Sequence, residues 1–370
     1  MELQKLRRQF PALMQQVNGQ SPIFLDGPGG SQVPQSVLSA MSAYLGYYNS
    51  NLGGAFFSSD KTVSLMDNAR QAVADLLNAP TKEQIVFGAN MTSLTFSFSR
   101  AVSRDWQAGD EVIVTNADHF SNVSSWRQAA EDKGALVHAV KINEADCTLD
   151  LAHYKSLLND KTKLVAVTYA SNTTGSINDI KQIVELAHQV GALVYVDAVH
   201  YAPHELIDVQ ALNCDFLACS AYKFFGPHVG IVYGKREHLE GFTPYKVEPA
   251  KDVIPGRWET GTQSFEGLAG VIAAIDYIAS LSDLPESTPR RERLAQAFAN
   301  TKEHEMALSA YFLKRLADFP QIRLFGIENE SRLAERTPTF ALTFEGLAPR
   351  EVSEFLGKQH MCVWDGNFYA

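Results

Sequence analysis

Seven short apolar runs, separated by stretches with helical periodicity, dominate the chain from about residue 84 onward. They are rich in β-branched residues and apolar throughout, as expected for strands that are buried on both faces. The runs lie at residues 85–87, 111–115, 136–140, 164–168, 192–197, 216–220 and 230–233. Between two of them, residues 178–190 carry apolar side chains at i, i+3, i+4 and i+7, which predicts a helix. The alternation predicts an α/β fold with a mostly parallel sheet covered by helices.

After Gly261 this alternation gives way to longer helical patterns and a single further strand pattern. The elements predicted there are helices at 265–280, 290–316 and 350–358 and a strand at 339–345. A polar, proline-containing break at 283–289 separates the first of these helices from the rest. We therefore predict a large domain over residues 17–280 and a smaller α+β domain formed by residues 1–16 and 281–370.

The composition argues against several classes of function. The chain has 370 residues with 32 basic and 42 acidic side chains, a net charge of −10, and no basic cluster interleaved with aromatic residues. We therefore expect no binding to nucleic acid or to anionic membranes. No apolar run is long enough to span a bilayer, and residues 1–8 lack the apolar core of a signal peptide.

The cysteines show neither the spacing of a metal site nor that of a disulfide framework. Four occur, without a CxxC pair or a histidine at ligand spacing, at Cys147, Cys214, Cys219 and Cys362. Scattered thiols of this kind are typical of reduced cytosolic proteins. We therefore predict a cytoplasmic location and no bound metal.

A lysine and an aspartate end two successive strands of the predicted sheet. Lys223 follows the run at 216–220, among aromatic residues and a Gly-Pro turn, and Asp197 is the last residue of the run at 192–197. Ligands of parallel sheets bind beyond the carboxyl ends of the strands. An amine and an acid there suit pyridoxal 5′-phosphate (PLP), because the lysine can form a Schiff base and the aspartate can keep the pyridine nitrogen protonated. A buried Lys–Asp pair without a cofactor is the alternative.

Candidates for the phosphate of such a cofactor occur at the same edge. Met91 and Thr92 follow the first strand and open a predicted helix, where free backbone N–H groups and a hydroxyl could bind an anion. A simple capping role for Thr92 or Ser93 is equally open. Ser220, three residues before Lys223, could supply a second hydroxyl.

Candidates for contacts with the ring follow the other strands. His119, after the strand at 111–115, could stack on the pyridine, and Asn172, after the strand at 164–168, could donate to the phenolate oxygen. His200, just beyond Asp197, could reach the same oxygen. Each residue also has a plain alternative as a structural histidine or a turn asparagine. Their joint order along the chain favours the cofactor site.

Nine motifs spread over the chain strengthen this interpretation. They are FPAL at 10–13, FLD at 24–26, DH at 118–119, SN at 171–172, VDA at 196–198, DVQAL at 208–212, CDF at 214–216, KFFGP at 223–227 and ETGT at 259–262. In this order they resemble the cysteine desulfurase and selenocysteine lyase group of class V aminotransferase-like enzymes, which are fold type I PLP proteins. The resemblance implies a large domain with a mostly parallel seven-stranded sheet, a smaller α+β domain, an amino-acid substrate, and a homodimer with its active sites at the interface.

The same resemblance implies a role for each matching residue. Lys223 would carry the cofactor as a Schiff base and act as general base, Asp197 would pair with the pyridinium, and His119 would stack on the ring. The further implied contacts are Asn172 with the phenolate oxygen, Thr92 and Ser220 with the phosphate, Thr262 with the phosphate of the neighbouring subunit, and Met91, His200 and Tyr222 along the site. The desulfurases have glutamine at the position of His200 and histidine at that of Tyr222.

The clearest departure from the family pattern lies in the loop at 363–370. Desulfurases carry there a cysteine that accepts sulfur as a persulfide, and the alignment puts Tyr369 at its position. Cys362 precedes the loop on a predicted strand and is typical of a core thiol. A desulfurase-like subgroup without the cysteine has a similar Gly-Asn-Phe-Tyr-Ala run. The resemblance also implies that the arginine for the substrate carboxylate lies beyond Ala370, so we expect a truncated or short member.

The function expected from the sequence is that of a PLP-dependent enzyme acting on an amino acid through Lys223. A desulfurase-like lyase or transferase without the persulfide cysteine is the first hypothesis. A class V aminotransferase is the second, and a PLP-binding protein with little catalysis is the third.

Overall fold

The structure, a computed structural model, describes residues 3–370, so the first two residues of the predicted small domain lie outside the described part. The N-terminal region contributes two long helices and one short strand before the central sheet begins. Its elements are α1 (Leu3–Arg7), β1 (Ile23–Phe24), α2 (Gln35–Tyr47) and α3 (Phe57–Leu77). The sequence patterns did not predict α2 or α3.

A seven-stranded sheet forms the centre of the molecule. Its strands are β2 (Ile85–Gly88), β3 (Glu111–Thr115), β4 (Leu136–Val140), β5 (Thr162–Thr168), β6 (Leu193–Asp197), β7 (Phe216–Ser220) and β8 (Gly230–Gly234). They are ordered β2-β8-β7-β6-β5-β3-β4, and only β8 runs antiparallel to its two neighbours. The predicted mostly parallel sheet is therefore confirmed, and each of the seven apolar runs forms one of its strands.

Helices cover both faces of this sheet. They are α4 (Met91–Val102), α5 (Phe120–Glu131), α6 (Leu151–Leu157), α7 (Ile180–Gln189), α8 (Val209–Leu212), α9 (Arg236–Gly241) and α10 (Phe265–Ala279). Alternate residues of one strand enter two different cores: Val165 joins the cluster under α3, α7 and α10, and Leu164 joins the cluster under α4 and α5. This two-sided burial explains why the strands are apolar at every position.

A second set of elements follows the break at residues 280–289. It consists of α11 (Arg290–Leu316), β9 (Ile322–Phe325), β10 (Ala341–Phe344), α12 (Pro349–Lys358) and β11 (Met361–Cys362). β9 and β10 pair antiparallel, and β11 pairs in parallel with β1 from the start of the chain. The three helices predicted after Gly261 are confirmed as α10, α11 and α12. The domain limits at residues 17, 280 and 281 stay a prediction. Within residues 3–370, no helix combines the length and apolarity needed to cross a membrane.

Candidate functional site

Asp197 and Lys223 lie at the carboxyl ends of neighbouring strands. β6 and β7 pair in parallel with Asp197 opposite Ala218, and Lys223 ends a short 3-10 turn directly after β7. Only 4% of Asp197 is exposed, and its Oδ1 accepts a hydrogen bond from the backbone N–H of Val199 at 2.9 Å. The Lys223 ammonium donates instead to the backbone carbonyl of Pro28. The acid and the amine therefore share one edge of the sheet but are held by different backbone groups.

Burial favours the neutral form of both groups. It raises the pKa of Asp197 to about 6, against the opposing effects of the Val199 hydrogen bond and the Lys223 charge. It lowers the pKa of Lys223 to about 8, with the Asp197 carboxylate opposing this change. A lysine with such a pKa has an appreciable neutral fraction near pH 7, as a general base requires.

His119 caps the helix that follows β3. Its Nδ1 accepts a hydrogen bond from the backbone N–H of Ser121 at 3.1 Å and lies 2.8 Å from the Ser121 hydroxyl. Burial, and secondarily the charge of Lys223, lowers the pKa of His119 below its ordinary value. The ring is therefore neutral near pH 7. A neutral, oriented imidazole is suited to stack on an aromatic ligand.

Asn172 contacts the C-terminal residues of the chain. Its Nδ2 donates to the backbone carbonyl of Phe368 at 3.0 Å. The backbone N–H of Phe120 donates to the carbonyl of Tyr369 at 2.6 Å, and the Tyr369 ring lies 5.6 Å from that of His119. The loop aligned with the desulfurase cysteine loop therefore lies against two of the predicted ring contacts.

The residues predicted to bind the cofactor phosphate lie in or beside the first turn of α4. Gly230 of β8 pairs with Ser220 on one side, and a Cβ atom at Gly230 would lie 2.3 Å from the Asn90 carbonyl carbon. Glycine at 230 thus lets the helix start approach the strand ends closely. Asn90, rather than Thr92 or Ser93, caps α4 by accepting from the Ser93 N–H at 2.8 Å. Thr92 is exposed at this helix start, whereas Met91, the first helical residue, is buried.

Three further residues were predicted to contact the cofactor, namely His200, Tyr222 and Thr262. The buried His200 places Nε2 2.9 Å from the Thr339 hydroxyl and 3.1 Å from that of Thr337, so this nitrogen is already engaged. Tyr222 holds its ring centroid 4.7 Å from the Lys223 Nζ. Thr262 is exposed on the loop before α10. The roles predicted for these three residues stay predictions.

The donor set fits PLP. Oδ2 of Asp197 and the Ser220 hydroxyl make no hydrogen bond with residues 3–370, although both residues are at most 4% exposed. Neither atom is among the fully buried unpaired polar atoms of the described residues, so each still reaches solvent and is available to a ligand. A pyridinium N–H would donate a hydrogen bond to Oδ2 of Asp197. A phosphate at the start of α4 would accept one from the Ser220 hydroxyl. Lys223, three residues after Ser220, supplies the amine.

Comparison with known proteins identifies the family. Residues 23–370 match the class V aminotransferase family. The chain belongs to this family. A probable cysteine desulfurase of Synechocystis sp. is 32% identical over 380 residues, covering 98% of this chain and 85% of that protein. An aminotransferase-like protein of Gibberella zeae is 34% identical over 377 residues, covering all of this chain and 88% of that protein.

Solved structures of this class V aminotransferase group have the same fold. A cysteine desulfurase of Escherichia coli superposes with a TM-score of 0.84 at 26% identity, covering all of this chain and 89% of the other. One of Thermococcus onnurineus superposes with a TM-score of 0.86 at 24% identity, covering 99% of this chain and 88% of the other. The predicted fold type I architecture and family are therefore confirmed, and this protein is a PLP-dependent enzyme of the family.

No role was predicted from the sequence for Asp118, the residue directly before His119. Asp118 is 2% exposed; its Oδ1 accepts from Asn122 Nδ2 at 2.7 Å, and its Oδ2 accepts from the Thr168 N–H at 3.0 Å and from the Thr115 hydroxyl. Burial raises the pKa of Asp118 to about 7. These bonds fix the loop that presents His119. The sequence feature that could have pointed to Asp118 is an acid directly before that histidine, just after a buried strand.

Proposed function

We propose that this enzyme uses Lys223 to hold PLP and acts on an amino acid by desulfurase-like lyase or transferase chemistry, without a persulfide-forming cysteine. The observation that supports it most is the pairing of β6 with β7. This pairing brings a buried carboxylate and a half-buried amine to one sheet edge, with pKa values of about 6 and about 8. A simple buried ion pair would place the two charges in direct contact, whereas Lys223 bonds to Pro28 and Asp197 to Val199.

Each residue of the site has a defined task in this proposal. When bound, PLP supplies an electron-withdrawing ring that stabilises negative charge at the substrate Cα. The neutral form of Lys223 takes the Cα proton on Nζ, for which its lowered pKa prepares it. Asp197 would hold the proton on the ring nitrogen, and the neutral His119 would cover one face of the ring. Asn172, whose amide donates to the Phe368 carbonyl, would orient the phenolate side with its second N–H.

The absence of a persulfide step is inferred from the loop after β11. Tyr369 aligns with the cysteine of the desulfurases, and its ring lies beside His119. Cys362 is half-buried on β11, where its backbone pairs with Phe24, and burial raises the pKa of its thiol. A thiol with a raised pKa is a weak nucleophile near neutral pH, because the thiolate is the reactive form.

The proposal is tested by exposing the purified enzyme to a panel of amino acids and analysing a single turnover. We expect an absorbance change with at least one amino acid, release of its β- or γ-substituent, and no persulfide on the protein. Cys362→Ser should keep activity within about twofold of wild type, because this thiol has no role in the proposed chemistry. Alanine formed together with a protein-bound persulfide would contradict the proposal, as would a loss of more than about tenfold in Cys362→Ser.

Aminotransferase activity is the second candidate, and one specific observation favours it. The relative with 34% identity carries the name of an aminotransferase-like protein. The same experiment separates the candidates, because pyridoxamine phosphate accumulates only if the amino group stays on the cofactor. An absorbance spectrum that stays unchanged with every amino acid would indicate a PLP-binding protein with little catalysis.

We further propose that the enzyme is a cytoplasmic homodimer. Aromatic residues of α2, α3 and the loop between them are exposed by 74% at Tyr47, 54% at Phe56 and 70% at Phe57. α2 packs against α10, and the exposed Thr262 lies just before α10. A partner covering this apolar surface would therefore come near Thr262. All four cysteines are free thiols, which suits a reducing compartment.

Phe57→Glu is expected to weaken this dimer. A charge at the centre of an apolar interface costs several kcal/mol when it is left unpaired. Light scattering should give twice the mass of one chain for the wild type and a concentration-dependent lower mass for the variant. Phe355→Glu, at a residue that is 64% exposed on α12, is the matched control and should leave the mass unchanged. A wild-type protein with the mass of a single chain would refute the proposed dimer.

A further inference from the structure

The hydroxyl of Ser31 bridges the backbone on the two sides of Lys223, from Tyr222 directly before it to Phe225 two residues after it. It donates to the carbonyl of Tyr222 at 3.0 Å and accepts from the backbone N–H of Phe225 at 2.7 Å. The Ser31 backbone N–H donates to the same Tyr222 carbonyl at 2.9 Å. We propose that Ser31 is a positioning residue that fixes the Lys223 turn and thereby the place of its amine. This inference rests on the proposed function of Lys223.

The turn needs such an anchor because part of its backbone is strained. Phe225 has a φ of 68°, in the left-handed region that costs a bulky residue of the order of 1 kcal/mol. The Phe225 ring is fixed in the core by edge contacts with Phe10 and Tyr277. Because φ is unfavourable, the turn is stabilised by a partner that accepts the hydrogen bond from the Phe225 N–H. Ser31 is that partner.

The same segment also holds the far end of the lysine. Pro28, three residues before Ser31, accepts a hydrogen bond from the Lys223 ammonium. Gly30 has a φ of 143°, and a Cβ atom there would lie 3.0 Å from the Tyr222 ring, so the segment packs tightly on the turn. The strap formed by residues 27–31 therefore binds the backbone that flanks Lys223, at Tyr222 and Phe225, and the amine of Lys223 itself. Ser31 sets the distance between these two attachments.

Loss of the Ser31 hydroxyl should loosen the turn without removing any group that touches the substrate. The amine would then sample more solvent and lose part of the burial that lowers its pKa to about 8. A displacement of about 1 Å at a reacting group can cost about a hundredfold in rate. The expected signature is an altered titration of Lys223 together with a lower kcat and a nearly unchanged KM.

The test compares Ser31→Ala with Ser31→Thr, which retains a hydroxyl, and with Asp150→Ala. The last variant removes an unrelated helix cap, in which Asp150 accepts from the His153 N–H at 2.9 Å, and so controls for a general loss of stability. The full chain is freed of cofactor, labelled with an amine-reactive reagent over a pH series, and the modification of Lys223 is measured by mass spectrometry. Turnover of the loaded enzyme is measured in parallel.

We expect the midpoint for Lys223 labelling to rise by about one pH unit in Ser31→Ala, and to stay at the wild-type value in Ser31→Thr and Asp150→Ala. Ser31→Cys, whose thiol is a weak donor and acceptor, should give a smaller rise and replaces Ser31→Ala if that variant does not fold. Wild-type titration in both Ser31→Ala and Ser31→Cys would overturn the inference. The proposed function fails separately, if borohydride fixes the cofactor to a lysine other than Lys223.

Discussion

Lys223→Ala is expected to abolish covalent cofactor attachment and to lower turnover by at least about a thousandfold. The Lys223 ammonium donates to the strap at Pro28, and the residue lies beside the end of the strand that carries Asp197. Under the proposed function, alanine removes both the group that bonds the aldehyde and the base for the substrate proton. The measurement is the absorbance of the purified variant after incubation with PLP near neutral pH, followed by borohydride reduction and peptide mass analysis.

Lys163→Ala is the matched control for this substitution. Lys163 lies near the amino end of β5, at the opposite edge of the sheet, and its ammonium pairs with Asp110 at 3.3 Å in a partly exposed site. A surface ion pair of this kind contributes at most about 1 kcal/mol, so the control should keep its colour and activity. A cofactor–lysine link that survives in Lys223→Ala would show that another lysine performs the reaction.

The sheet could be predicted from the sequence because its strands are buried on both faces. A run such as residues 164–168 has no polar face, so its pattern cannot be mistaken for that of an amphipathic surface helix. Helix α3 illustrates why other elements were missed. Its Ser59 and Thr62 are fully buried, and their hydroxyls donate to the backbone carbonyls of Asn51 and Ser50 at 2.8 and 3.2 Å. Polar residues buried in this way break the apolar periodicity on which a helix prediction depends.

The site was predictable only where side chains act from the ends of strands. Lys223, Asp197, His119 and Asn172 were all predicted in this way, and the structure places them at or after strand ends at one edge of the sheet, while their roles stay predictions. Pro28 contributes only a backbone carbonyl, 195 residues away from the lysine that it holds. A backbone acceptor leaves no mark in residue identity, since every residue carries one. Contacts of this type become visible only when the tertiary structure is known.

Asp197→Asn is expected to lower turnover on the order of 10²- to 10³-fold while leaving PLP bound. The amide keeps the shape of the side chain and can accept the hydrogen bond from Val199, but it has no charge to hold a proton on the ring nitrogen. Substrate proton removal by Lys223 then lacks its electron sink. Single-turnover kinetics with a reactive amino acid measure the loss. Asp67→Asn, at an exposed carboxylate that pairs with Lys82 on the surface, is the matched control.

The same substitution should stabilise the cofactor-free protein at alkaline pH. Burial raises the pKa of Asp197 from 3.8 to about 6, so the folded state binds this proton more tightly than the unfolded state does. The wild type therefore gains stability as the pH falls from above 6 toward 4, and above 6 the buried charge costs up to about 3 kcal/mol. Asparagine removes that cost. Urea unfolding should show the variant more stable than wild type at pH 8, with the difference shrinking toward pH 4.5. A variant equally destabilised at both pH values would mean that the carboxylate is not buried as a charge, and the proposed cofactor partner would have to be sought elsewhere.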